Sequence, residues 1–310
     1  MSLFDKFKKA IFGKNSGNAA VQKKTNNTVP MVEMKLIIPK GTTQIKGHEF
    51  AKYDDIKSII IPEGVKTIGD SAFYNCKNLT DIVIPDSVTK IGGFAFEHCG
   101  NLTSVKIPMG VKTIGEGTFR CCKNLTDITI PDSVTEIGDF AFEYCGNLTS
   151  AKIPMGVKTI GEGAFRCCKN LTDIAIPDSV TKINKQAFEG CENLTSVKIP
   201  EGVVDIEEDT FKNCKKLVSV EIPESVKGIG TGAFRGCYNL DTKTKKIIPE
   251  SSFKKNDDSV NGMSCTCVCY ATPQDDPDYD RDGVDLNKYS WEIRRAMNGE
   301  TYVAVWRSCC

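Results

Sequence analysis

Fifteen cysteines against only two histidines in a chain of 310 residues pose a chemical question first. Thiolates bind soft metals, exchange disulfides and act as nucleophiles. Eight of these cysteines recur every 23 residues: Cys76, Cys99, Cys122, Cys145, Cys168, Cys191, Cys214 and Cys237. Metal or redox chemistry is one reading of that column. The other is a ladder of small buried side chains, because a free cysteine packs as a small hydrophobe. No histidine accompanies the column to suggest zinc, and side chains in register project in parallel, so the ladder is the reading adopted. Cys121 and Cys167 sit one residue before the column, where greater exposure is expected and a reactive thiol is the lesser reading. At two repeats' separation, about 10 Å by strand spacing, they are too far apart to bridge each other.

Other chemistry-bearing residues lie outside that pattern. In SCTCVCYAT, Cys265, Cys267 and Cys269 fall on one face of a strand-like segment, and TYVAVWRSCC reads as a second strand ending in Cys309 and Cys310. C-x-C-x-C is not a finger spacing, so no metal is assigned. The terminal Cys-Cys matches a prenylation end but lacks the C-a-a-X form. Asp278, Asp280, Asp282 and Gly283 stand like the first half of a calcium loop, yet Tyr289 occupies the twelfth position, where a bidentate carboxylate is needed. The segment is read as a solvated acidic turn. N-L-T at Asn78, Asn101, Asn124, Asn147, Asn170 and Asn193 is formally a glycosylation sequon. Without a secretory route it is read as a turn-holding asparagine. His48 and His98 both fall inside repeats, and no G-x-S-x-G, phosphate loop or H-E-x-x-H is present. The chain is therefore expected not to be an enzyme and to need no cofactor.

The elements that must position these residues follow from the period. Ile-Pro recurs at Ile38, Ile61, Ile84, Ile107, Ile130, Ile153, Ile176, Ile199 and Ile222, always 23 residues apart. Residues 84–129 are nearly copied as 130–175, as after duplication of a two-repeat unit. With Ile as position 1, the unit is I-P-x-x-V-x-x-I-G-x-x-A-F-x-x-C-x-N-L-T-x-I-x, apolar at positions 1, 5, 8, 12, 13, 16, 19 and 22. One unit cannot bury that set alone, whereas stacked copies can. L-T-x-I-x-I-P alternates like a short strand, and its proline ends the ladder. G-x-x-A-F-x-x-C is read as a turn followed by one helical turn.

The pattern L-x-x-I-x-I-P-x-x-V-x-x-I-G-x-x-A-F-x-x-C resembles the BspA-like, Treponema-type leucine-rich repeat over residues 38–242. The resemblance implies an α/β leucine-rich-repeat solenoid with a parallel sheet on its concave face. It also implies kinship with adhesins of cell surfaces that bind host or bacterial proteins. The remaining residues are expected to form a small C-terminal cysteine-containing module.

Positions 21 and 23 of each unit point away from the core, onto that sheet face. Position 21 runs Asp81, Ser104, Asp127, Ser150, Asp173, Ser196; position 23 includes Lys106, Lys152, Lys198 and Glu221. Two readings stay open. Aspartates and lysines on adjoining rungs pair and keep the sheet soluble, or the polar face docks an extended protein partner.

Residues 1–30 are basic, and 1–13 carry Phe4, Phe7 and Ile11 on one side of a short amphipathic helix. A membrane contact there would be marginal. Residues 31–60 are read as a cap and degenerate first repeat, 61–242 as the solenoid, and 243–310 as a terminal cap, linker and acidic, cysteine-rich tail. Lys plus Arg and Asp plus Glu are both 40, which gives no bias toward nucleic acid. The N-terminus lacks an apolar signal segment, so a cytoplasmic monomer is expected, with the cell surface as the alternative. The function expected is a non-catalytic protein-binding scaffold. The alternatives are an adhesin exported by another route and a metal- or thiol-dependent tail with the repeats as spacer.

Overall fold

The computed structural model describes residues 34–54, 56–241, 243 and 247–253, together with the backbone of 291–295 and 301–305. The basic N-terminal segment, Cys265, Cys267, Cys269, Cys309, Cys310 and the calcium-like loop lie outside the described residues. Of the two strand-like tail segments, Thr301–Val305 is a strand; it pairs antiparallel with Trp291–Arg295.

From residue 34 to 253 the chain is a stack of turns, each unit one rung. Strands such as Asp81–Val83, Ser104–Lys106 and Asp127–Thr129 form where the sequence alternates, with an exposed–buried–exposed pattern. They pair in parallel at an offset of one unit, Ser104 with Asp127 and Lys106 with Thr129. A second parallel ladder, not expected from the sequence, runs through positions 7 and 8, for example Thr113–Ile114, Glu136–Ile137 and Thr159–Ile160. Its strands are two residues long, too short for period-two alternation to show. In the unit 38–60, Ile56–Ile60 pairs with Met34–Ile37, and Ile45 and Phe50 are buried.

The expected helical turn is absent. G-x-x-A-F-x-x-C is a run of turns with left-handed residues at positions 11 and 15, such as Phe94 (φ 55) with His98 (φ 61) and Phe140 (φ 55) with Tyr144 (φ 61). Left-handed backbone interrupts a right-handed helix. The amides of positions 11, 13 and 15 instead donate to the next rung: His48 to the Asp70 carbonyl, Phe50 to Ala72 and Lys52 to Tyr74, at 3.0, 2.9 and 2.7 Å. Tertiary hydrogen bonds at these positions alternate with local ones, such as Tyr74 to the Ser71 carbonyl and Cys76 to Phe73, and hold the strained residues in place. Position 11 also alternates in size. Phe94 lies against Gly117 and Phe140 against Gly163; a Cβ on Gly117 would run into the Phe94 ring.

The core is a set of columns. The phenylalanines from Phe50 to Phe234 stack with ring centroids 5.2 to 5.6 Å apart and planes within 17°. Each buried phenylalanine side chain contributes about 1.5–3 kcal/mol of apolar transfer. Tyr53 meets the first ring edge-on at 6.4 Å. At the other end the 3-10 turn Glu250–Phe253 lays Phe253 over Phe234 at 6.5 Å, and Ile248 is buried. The Ile-Pro that falls out of phase after Leu240 therefore starts a lid on the stack.

Candidate functional site

All ten residues expected on the sheet face, Asp81, Ser104, Lys106, Asp127, Ser150, Lys152, Asp173, Ser196, Lys198 and Glu221, are exposed. The position-22 side chain between them points inward and is buried, as in Val105 and Ile128. The register sets Lys106 beside Thr129, Lys152 beside Ala175 and Lys198 beside Glu221, so no two of these lysines are adjacent. Among the described residues no ion pair within 4.0 Å joins Lys106, Lys152 or Lys198 to Asp81, Asp127 or Asp173. Mutual pairing of the two columns, one of the two open readings, is not what the geometry gives. Ahead of Val83 the position-23 column starts with Ile37 and Ile60, which sequence reasoning left out; the three lie side by side and exposed at 57%, 38% and 61%.

The eight-cysteine column is structural. Every member is a free, buried thiol. Each donates to the backbone carbonyl of the phenylalanine one turn back, from Cys76 to Phe50 at 3.1 Å through Cys145 to Phe119 at 3.2 Å to Cys237 to Phe211 at 3.0 Å. The residue must be small, apolar and a donor, which only cysteine supplies without adding a hydroxyl. Burial pushes the thiols of Cys99, Cys122, Cys145, Cys168, Cys191 and Cys214 above their ordinary range. They are poor nucleophiles, since the thiolate is the reactive form. Cys121 and Cys167 correct the sequence expectation. Both are buried, at 1% and 2% exposure, although Asn75 and Asn213, with the same left-handed backbone at position 15, are only half-buried, and both are disulfide-bonded. Neither is an exposed reactive thiol.

The sequon asparagines form a ladder of their own. Asn124, Asn147, Asn170 and Asn193 each donate an amide hydrogen to the side-chain oxygen of the asparagine one rung earlier, at 3.1 to 3.3 Å. Asn78 bonds the Asp54 carbonyl instead. These side-chain bonds tie one rung to the next rather than holding a single turn, as the sequence suggests.

Position 14 was missed by sequence reasoning. It reads Glu97, Arg120, Glu143, Arg166, Glu189, Lys212 on successive rungs, and the structure stacks these into one line of ion pairs. Arg120 reaches Glu97 at 3.2 Å and Glu143 at 2.5 Å. Arg166 reaches Glu143 at 3.1 Å and Glu189 at 3.2 Å, and Lys212 closes on Glu189 and Asp209 at 2.8 Å each. Glu143 is 1% exposed and Arg120 4%. Burial, despite Arg120, raises the Glu97 carboxyl to about 7. Burial also lowers His98 to about 4, helped by Arg120, Lys123 and Lys77. Although His98 Nε2 stands 3.6 Å from Glu97, both shifts favour the neutral forms, so the contact is not a salt bridge through most of that range. The alternation of sign was legible in the sequence as a 46-residue period, two 23-residue units, but only when position 14 is set apart from the core columns beside it.

A family model described as the BspA type leucine-rich repeat region, in six copies, matches residues 34–148 and 135–259. The chain belongs to that family. Its neighbours of known structure include a T. pallidum leucine-rich repeat protein, 30% identical, with a TM-score of 0.48 over 61% of this chain and 80% of that one. A leucine-rich repeat protein from Bacteroides ovatus is 29% identical, with a TM-score of 0.39 over 66% and 70% of the two chains. A leucine-rich cell surface protein from Faecalibacterium prausnitzii is 26% identical, with a TM-score of 0.29 over 72% and 91%. No curated protein matches the chain. Among the described residues no helix is long and apolar enough to cross a membrane.

Proposed function

We propose that the BspA-type repeats serve as a non-catalytic scaffold that binds a protein partner on the exposed side of the three-residue strands. The observation that carries this reading is the regular row of exposed lysines and aspartates without ion pairs to one another. Lysines and aspartates buried in mutual pairs would have little left to offer a partner, whereas these remain available. The buried thiols and the neutral Glu97–His98 contact supply no activated nucleophile, which fits a binding role.

The reading is tested by affinity capture from the native host with three forms of the full chain. One is unaltered, one carries Lys106→Glu, Lys152→Glu and Lys198→Glu, and one carries Lys112→Glu and Lys158→Glu beside the two-residue strands. Proteins held by the unaltered chain should be lost from the sheet-face variant and kept by the control. Retention by both variants, or loss from both, would contradict it. Cell-surface exposure is a separate proposal, decided by whether antibody labels intact host cells.

A further inference from the structure

We infer that the partner presented to this face is a polyproline II segment with an acidic side chain at every third residue, lying along the stack. The inference rests on the sheet-face reading above and names the chemistry of its occupant. Lys106, Lys152 and Lys198 recur on every second rung, a repeat of about 9.6 Å at the usual strand spacing. Polyproline II advances about 9.3 Å in three residues, and its threefold symmetry returns every third side chain to the same side. Across the four rungs from Lys106 to Lys198, about 19 Å of face meets about 18.6 Å of six residues, so the register holds over the whole row.

The other regular conformations fit less well. In an extended strand the third residue points to the opposite side. In an α-helix the matching repeat is seven residues, about 10.5 Å, and the side drifts about 20° per heptad. A polyproline II backbone also leaves its carbonyls without internal hydrogen bonds. The exposed hydroxyls of Ser104, Ser150 and Ser196, each two residues before a lysine, are donors for them. Asp127 and Asp173 occupy the intervening rungs. Within the lysine column those rungs carry Thr129 and Ala175, so an acidic group out of register finds no cation, and the aspartates two residues away on the same rungs add like charge, which gives the face discrimination as well as attraction.

The experiment is a fluorescence-anisotropy titration of the full chain with two labelled peptides of equal composition. One is a repeating Pro-Pro-Glu peptide of about twelve residues, long enough to span the three lysines. The other has its glutamates bunched at one end. The repeating peptide should bind roughly ten-fold tighter, a difference of about 1.4 kcal/mol, and Lys152→Glu alone should remove most of that preference. Circular dichroism on the same samples checks that the variant is folded. Equal binding of the two peptides, or binding of neither, overturns the inference. If the triple lysine variant still loses its native partners in that event, only the polyproline II assignment fails. If it keeps them, the sheet-face reading fails too.

Discussion

At position 14 each buried carboxylate touches a cation on the neighbouring rung, and Glu143 is shared between Arg120 and Arg166. Removing one member of such a buried row strands its neighbours, which typically costs about 3–5 kcal/mol. Glu143→Ala should therefore destabilise the stack by that order in urea unfolding, while Glu162→Ala, at a solvent-screened pair with Lys185, should change it by less than about 1 kcal/mol. The end of the row makes a pH prediction. Glu97 binds its proton more tightly folded, near pH 7, than at its ordinary 4.5, so its contribution is present below pH 4.5 and lost as pH rises toward 7. His98 is depressed from 6.5 to about 4, so its contribution is present above pH 6.5 and lost as pH falls toward 4. The two oppose each other across this window. Glu97→Gln should make stability rise with pH between 4.5 and 6.5 more steeply than in the unaltered protein, and His98→Gln should tilt it the other way. Superimposable pH profiles for the two variants would rule out this assignment.

At the scale of the element, the run of turns through positions 9 to 16 is the feature that local sequence rules misread. Ile45, Phe50 and the cysteine column announced their burial by spacing, and the three-residue strands by alternation. What spacing did not reveal was backbone handedness. Left-handed Phe94 and Tyr144 are stabilised by hydrogen bonds to the Glu116 and Arg166 carbonyls on the next rung, which no window of local propensity contains. The same holds for the two-residue strands, whose partners lie one rung away, and the burial of Cys121 and Cys167 goes with disulfides that repeat spacing does not announce. The sheet-face residues were legible because exposure follows directly from alternation. The apolar Ile37 and Ile60 escaped because the first unit is degenerate. Gly117 tests the alternation of size at position 11. Gly117→Ala drives a Cβ into the Phe94 ring at a left-handed residue, and overpacking of this kind costs about 1–3 kcal/mol. Adding Phe94→Ala should relieve the clash, so the double variant should lose less than the sum of the two single losses in thermal or urea unfolding. Strict additivity would mean that the two side chains do not meet.

At the scale of the whole stack, the chemical repeat through its middle, from Phe94 to Lys212, is two rungs, although the backbone repeat is one. Glu alternates with Arg at position 14, Phe with Gly at position 11, and aspartate with serine on the sheet face. Like charges on adjacent rungs would stand roughly 5 Å apart in a buried line, and the alternation prevents it. It also explains why the near-copy of 84–129 as 130–175 spans two units, since duplication of a single unit would have set like upon like. Deleting residues 130–175 brings Arg120 against Glu189 and keeps the sequence of signs. Deleting only residues 130–152 brings Arg120 against Arg166, and Gly117 against Gly163. The most direct measurement is the urea unfolding free energy of these two deletions of the full chain. Two-rung pairing predicts that the shorter protein, lacking 130–175, is the more stable. If the variant lacking only 130–152 equals or exceeds it, as a simple sum over rungs requires, the stack has a one-rung unit and the ion ladder does not govern its assembly.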